Sequence, residues 1–495
     1  MRPASRRTLA SCAVLAAAVA LGAARPDAAI EPPAPLGATP SPNQLAWHER
    51  PYYGFVHFTV NTFSDREWGT GDESPELFAP TALDARQWAR VARESGMAGL
   101  ILTAKHHDGF CLWPSRLTEH CVRHSRWRDG RGDVLRELAD ACRAEGISLG
   151  VYLSPWDRNH AEYGRPAYLD YYRAQLRELL TQYGPLFEVW FDGANGGDGY
   201  YGGARETRTI DAARYYDWPA TWGLVRELQP HAVMFSDAGP DVRWVGNEKG
   251  VGFETVWMGL DRAALHPGFA DYPRLAAGRP EAADWVPPEV DVSIRPGWFY
   301  HAAEDAQVKS IAELVEIYYA SVGRSASLLL NVPPDRRGQF HETDVARLRG
   351  LRAFLDATFA QDLARGATAS ASAVRGGAPR FAASRAVDGD PASYWATDDT
   401  VTAASLELGL AQPERFDQVR LREAIALGQR VEGWALDAEL AGGWRTLVEG
   451  TTIGVRRILR FPPVTASRVR LRVTRARACP ALAELALFLS GPQPR

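Results

Sequence analysis

Two acidic residues of this 495-residue chain stand where a carboxylate can act on a bound molecule. Asp192 closes the run Glu188-Val189-Trp190-Phe191, and Glu248 follows Arg243-Trp244-Val245-Gly246-Asn247. Other apolar runs also end on polar or aromatic residues. They are His57 with Glu67 and Trp68 behind it, Lys105-His106-His107-Asp108-Gly109-Phe110, Ser154-Pro155-Trp156-Asp157, Asp237, Arg295 with Trp298, and Asn331. Paired carboxylates in a pocket walled by Trp and His suit cleavage of a glycosidic bond: one attacks or stabilises, the other donates a proton. Asp192 is the better nucleophile, because it ends a hydrophobic run that would deliver it to a barrel mouth. Glu248 is the better proton donor, because its apolar flank of Trp244 and Val245 raises a carboxyl pKa. Plainer roles stay open for both, Asp192 as a cap or orienting group and Glu248 as a structural acid or a partner of Arg243. His106 and His107 could be core histidines, zinc ligands or hydrogen-bonding groups for sugar hydroxyls. Adjacent strand residues face opposite sides, which disfavours a shared metal ion, and neutral imidazoles suit hydroxyls.

The elements that must hold these residues alternate. Strands are expected at Tyr53–Phe58, Gly99–Ala104, Ser148–Leu153, Glu188–Phe191, Val233–Phe235, Val242–Val245, Val290–Ile294 and Leu328–Asn331. Helical periodicity lies between several of them, at Asp84–Glu94, Asp133–Ala144 and Val308–Val322, and a helix around Asp344–Leu363 follows. This predicts an α/β fold, a (β/α)8-like TIM barrel with its working residues at the carboxyl ends of the strands. Gly196–Asp217 and Gly259–Pro288 are expected as long insertions above it. From Ala367 the pattern changes to short alternating strands at Ser405, Gln418, Arg456, Arg468 and Glu484, the mark of an all-β sandwich.

The segments GFVHF, LTAKHHDGFCLWPS, EVWFDGANG, DVRWVGNEKG, WVPPEVDVSIRPGWFYH and LLLNVPPDRRG together resemble glycoside hydrolase family 29, the retaining α-L-fucosidases, from Tyr52 to about Leu363. The resemblance implies that Asp192 is the nucleophile and Glu248 the acid/base, with Glu289 of VPPEVD as the rival for the second role. It implies sugar binding by His57, Glu67, Trp68, His106, His107 and Trp156, and Arg295 and Trp298 in SIRPGW join that set. His57 lies in HFT where many members have HWG, so only the histidine is carried over. RWVGNE and VPPEVDVSIRPGW look like the subgroup that prefers α-1,3/1,4-linked fucose on glycans. The tail is similar to the discoidin, or coagulation factor 5/8 type C, family: a jelly-roll, galactose-binding-like sandwich. Asp388, Asp390 and Glu484 match its landmarks, and their oxygens suit a structural calcium ion. No cofactor is expected for catalysis.

Composition agrees with a soluble, core-forming chain: 46% hydrophobic and 23% charged residues, with a formal net charge of -4 that argues against nucleic acid as a partner. Sixteen Trp and seventeen Tyr suit a pocket that stacks on sugars. The basic start, the apolar run Leu9–Leu21 and the small residues near Ala24 are expected to form a secretory signal over residues 1–29, with Arg6 and Arg7 permitting a twin-arginine route. A secreted or periplasmic protein follows, without membrane insertion. The catalytic barrel with its closing helix is then expected over residues 30–365 and the sandwich over 366–490. An oxidising compartment would permit a Cys111–Cys121 bridge without demanding one. The rival functions are a non-catalytic fucosylated-glycan-binding protein, a retaining glycosidase for another sugar and a zinc hydrolase; the oligomeric state is not encoded legibly.

Overall fold

A computed structural model of the chain describes Met1 and residues 30–492, apart from 270–271 and 273–275. Residues 2–29 of the expected secretory signal lie outside the described residues. Eight parallel strands close a barrel: β1 (Tyr52–Val56), β2 (Gly99–Lys105), β3 (Ser148–Leu153), β4 (Glu188–Trp190), β5 (Val233–Ser236), β6 (Val242–Trp244), β7 (Pro288–Ser293) and β8 (Ser327–Asn331), with β8 pairing back onto β1. All eight fall on the runs expected from sequence.

Alternation along each strand sorts the side chains into two cores. Tyr52 and Val56, Leu100 and Leu102, Val151 and Leu153, Val290 and Val292, and Leu328 and Leu330 face outward into the layer beneath the helices. Tyr53 and Phe55, Ile101, Tyr152, Trp190, Phe235 and Leu329 fill the barrel itself. Period two then dictates what comes next on the inner face: His57 after Phe55, Asp192 after Trp190, Asn331 after Leu329. The mouth is polar because the inner core stops one residue below it.

The outer layer includes α2 (Ala85–Glu94), α3 (Val134–Glu145), α4 (Ala167–Gln182), α5 (Trp218–Leu228), α6 (Ile311–Ser321) and α7 (Glu342–Phe359), while α1 (Pro42–His48) precedes β1. Local sequence sets their ends. Asp84 and Asp133 accept from the Gln87 and Arg136 amides at the starts of α2 and α3, and Ser310 and Glu313 form a capping box on α6. Strict strand–helix alternation fails between β5 and β6. Phe235 pairs with Val242, so β6 begins where β5 ends and Asp237–Asp241 span the gap without a helix.

The second part is antiparallel: β9 (Thr368–Ala371), β10 (Trp395–Ala396), β11 (Ala404–Glu423), β12 (Val431–Leu440), β13 (Gly443–Gly450), β14 (Arg457–Ala476) and β15 (Ala481–Phe488). The expected strands at Ser405 and Gln418 are one strand, β11, and those at Arg456 and Arg468 are one strand, β14. Both run 20 residues, with register breaks between Gly409 and Glu414 and between Phe416 and Gln418. Leu406 and Leu408 before the breaks and Val419 and Leu421 after them reach one buried core with Trp395 and Trp434. The hairpin of β12 and β13 was missed in the sequence.

Barrel and sandwich lie within one unit, Pro33–Arg495. The sandwich grips the chain that follows Glu248: Arg457 pairs with Glu254, Thr452 Oγ1 accepts from the Val256 amide at 3.2 Å, and Gln429 exchanges bonds with Val256 and Met258. Among the described residues no helix is long and apolar enough to cross a membrane.

Candidate active site

Asp192 leaves β4 on the inner face, with its side chain 22% exposed. The Ala194 amide donates to Oδ1 at 2.6 Å and the Tyr152 hydroxyl to Oδ2 at 3.1 Å. Burial nevertheless pushes its pKa up to about 6, and those two donors work against the rise. Gly193 is needed for this turn: a β-carbon there would lie 1.8 Å from Asp237 Oδ2. Asp237, held by the Gly268 amide at 2.9 Å, is a second acid raised to about 7 by burial, with the Asp192 charge adding to it.

Three histidines wall the same mouth, and burial pulls the pKa of each far below 6.5, to about 3 for His57 and His107. They are neutral, so their tautomers matter. Asn331 spends its amide N–H groups on Ser293 Oγ and the Trp298 carbonyl, leaving its oxygen to accept from His57 Nδ1 at 2.8 Å. Ser154 spends its hydroxyl proton on the Trp156 carbonyl, so His107 Nδ1 donates to Ser154 Oγ at 2.7 Å. His57 and His107 therefore each have an unprotonated Nε2, and that of His107 lies 3.9 Å from Asp192 Oδ2. His106 and His107 do not face opposite sides, as strand alternation would require. β2 ends at Lys105, the chain turns, and the two rings stand 4.2 Å apart. Lys105 anchors that turn from below, fully buried against Asp157 at 2.9 Å and Gln175 at 3.0 Å.

Glu248 stands at the rim, exposed, with one oxygen accepting from Trp298 Nε1 at 3.2 Å. Partial desolvation raises its pKa, and the Asp192 and Glu67 carboxylates raise it further. Arg243 is not its partner: that buried guanidinium faces away and holds the carbonyls of Val286, Trp257 and Ala276. Trp244 points inward and donates to Asp291 at 2.7 Å. Glu67 reaches across from the β1 loop to accept from the Trp298 amide at 2.7 Å and the Phe299 amide at 3.0 Å. Trp68 is 50% exposed and packs edge-on against His107 and Trp156. Trp156 is buried behind them, its indole N–H on Tyr201 Oη.

Three expectations are corrected. Glu289 is no proton donor at the mouth: it is fully buried in the barrel, accepting from Tyr53 Oη and from Trp190 Nε1 at 2.8 Å beside a second buried acid, Glu188. Arg295 does not bind sugar: its side chain is 0% exposed and paired at 2.9 Å with both Asp344 and Asp305. It shares the inner parity of Ser293, but β7 ends at Ser293 and the chain beyond it turns the guanidinium away from the mouth to Asp344 and Asp305. Asp388, Asp390 and Glu484 do not assemble as a calcium ligand set. Glu484 is held bidentately by Arg420, Asp388 accepts from Ser393 and the Asp390 amide, and among the described residues no group of three His, Cys, Asp or Glu is disposed to hold a metal. The described cysteines are free, Cys111 and Cys121 included.

The Arg295 correction is testable. Asp344→Ala leaves a buried guanidinium half paired and should cost about 3–5 kcal/mol of stability, read by denaturation. KM of the folded variant should stay at the wild-type value; a raised KM would return Arg295 to the site.

Residues missed in the sequence are Tyr152, which strand alternation in Ser148–Leu153 could have placed inside, and His301, for which no local signal exists.

A closed parallel barrel whose mouth pairs two carboxylates among neutral histidines and tryptophans is the architecture of a glycoside hydrolase. Residues 38–358 match the alpha-L-fucosidase family model and residues 366–485 the F5/8 type C domain. The chain belongs to glycoside hydrolase family 29 and is an α-L-fucosidase. It is 42% identical to alpha-L-fucosidase 1 of Arabidopsis thaliana over 463 residues, covering 92% of this chain and 88% of that one. A crystal structure of a family 29 member from an unknown rumen bacterium is 44% identical, with a TM-score of 0.82 over 92% of this chain and 78% of the other. A family 29 fucosidase of Ruminococcus gnavus, solved with fucose, is 30% identical with a TM-score of 0.84, covering 94% and 97%.

Proposed function

We propose that this α-L-fucosidase is a retaining exo-enzyme that removes terminal α-1,3- or α-1,4-linked fucose from glycans by double displacement. The observation that carries the reading is the unequal surroundings of the two carboxyls. Asp192 receives two hydrogen bonds that favour its charged form, whereas Glu248 receives one and is crowded by other acids. Double displacement uses the state in which Asp192 is ionised and Glu248 carries the proton, and these donors favour the charge on Asp192. Asp192 attacks the anomeric carbon while Glu248 protonates the departing oxygen; Glu248, then ionised, draws a proton from the water that releases fucose. The chemistry closes on side chains alone.

The unprotonated Nε2 atoms of His57 and His107 accept from fucose hydroxyls, with His106 beside them, and Trp68, Trp298 and the face of Trp156 pack on the ring. Glu67 holds the Trp298 loop and keeps an exposed edge for a hydroxyl. The fucose complex of the Ruminococcus gnavus relative supports this ligand class. The linkage preference rests on the RWVGNE and VPPEVD segments, and secretion on the composition of the N-terminal stretch.

The test is stereochemical. Proton NMR of the first turnovers should show α-L-fucose before mutarotation, and α-1,3/1,4-linked trisaccharides should be cleaved faster than α-1,2- or α-1,6-linked ones. β-L-fucose as first product would exclude double displacement, and preference for an α-1,2 or α-1,6 link would overturn the linkage reading.

A further inference from the structure

His301 lies at the end of the β7 loop with its side chain 15% exposed, and both ring nitrogens meet carboxylates. Nδ1 is 2.9 Å from Asp65 Oδ1 and Nε2 is 2.8 Å from Glu67 Oε1. A neutral imidazole has one N–H and cannot donate to both; the imidazolium can. Burial pulls the ring's pKa down, but the bonds to Asp65 and Glu67 outweigh it and leave it above 6.5. The other charges facing this clamp are Glu304 on the adjoining turn, which raises the ring's pKa, and Arg336, 3.6 Å from the same Asp65 Oδ1 that meets the ring. Neither offers a competing proton donor to Glu67.

The clamp reaches the reacting groups through one continuous set of contacts. Glu67 takes the Trp298 and Phe299 amides, Trp298 packs on His57 at 5.1 Å, and its indole N–H holds Glu248. Gly297 lies close against Glu67: a β-carbon there would be 2.5 Å from Oε1 and would push the carboxylate aside. Asp65 is the C-cap of the short helix Val60–Ser64, at φ 60°.

We infer that His301 is a positioning residue that, as an imidazolium, locks the Glu67–Trp298 rim over the fucose site, and that loss of its proton opens one side of the clamp and lowers activity at alkaline pH. The inference rests on the reading above, in which Glu67 and Trp298 line the site. The sign follows from the ring's direction of shift. The link is whole below the raised pKa and is lost as pH rises through it. Because it shapes the bound sugar's surroundings and not the leaving group, the loss falls on KM more than on kcat.

Two measurements test it. In enzyme labelled with ¹⁵N in its histidine rings, the resonance absent from His301→Gln should show both nitrogens protonated at pH 7 and titrate above 6.5. One protonated nitrogen at pH 6 would overturn the inference. With an activated aryl fucoside, which needs no proton from Glu248, wild-type kcat/KM should fall on the alkaline side. His301→Gln should flatten that limb and raise KM about tenfold, the scale of one charge-assisted hydrogen bond. Asp65→Asn should move the limb to lower pH. An alkaline limb unchanged in both variants also overturns the inference. Failure of the double-displacement reading is a separate result, a Glu248→Ala variant whose rate does not depend on the leaving group.

Discussion

Asp192→Ala should fold normally and lose turnover by about 10⁴-fold or more, because under the proposed double displacement no glycosyl–enzyme bond can then form. Truncation leaves the Tyr152 hydroxyl and Ala194 amide facing a small space open to the mouth, where water satisfies them. Azide fits that space and should restore part of the rate, yielding a fucosyl azide of inverted configuration. In the wild type the acid limb of kcat/KM should lie near 6, where Asp192 gains its proton. Activity near the wild-type rate in a folded Asp192→Ala would remove this residue from the mechanism.

Glu248→Ala should give the second-largest effect, and one that depends on the substrate. A general acid matters in proportion to how poor the leaving group is. Hydrolysis of fucosylated oligosaccharides should fall about 10²–10⁴-fold, the usual range for one positioned proton donor. An activated aryl fucoside departs without help and should lose less than about tenfold in the bond-breaking step. The oligosaccharide pH profile should also lose the part of its alkaline limb that reports the Glu248 proton. Glu289→Gln should slow both substrates alike, since Glu289 touches Tyr53 and Trp190 in the barrel and no reacting atom. Leaving-group dependence in Glu289→Gln and not in Glu248→Ala would exchange the two roles.

The barrel was legible because its signals are local and repeated. Each inner strand is an apolar run bounded by turn residues, and the helices carry their own caps, as at Asp84 and Ser310. The candidate site was legible for the same reason: in a parallel barrel, whatever follows an apolar run on the inner parity arrives at the mouth. His57, Asp192 and Asn331 obey that rule. His106 and His107 escaped it because β2 slips register between Thr103 and Lys105 and ends at Lys105, which is drawn down to Asp157. The sandwich was harder. Register breaks near Gly409 and Phe416 let one strand serve both halves, and nothing in the local pattern separates a bend from a turn.

By itself the sequence determined the fold class, the strand ends and the cluster of polar residues that had to meet there. Only the tertiary structure decided what each of them does. Arg295 and Glu289 sit in motifs beside the site, yet the turn after β7 carries one away to Asp344 and alternation leaves the other two levels down on the inner face. Asp192 and Glu248 are both acids near a barrel mouth, and the division of labour proposed for them rests on which donors reach them. His301 is tied to Asp65 and Glu67 across more than 230 positions of sequence. Such long-range contacts have no local periodicity to betray them. Charge, proton and hydrogen-bond partners belong to the environment a residue lands in, and that environment is assembled from segments distant in the chain.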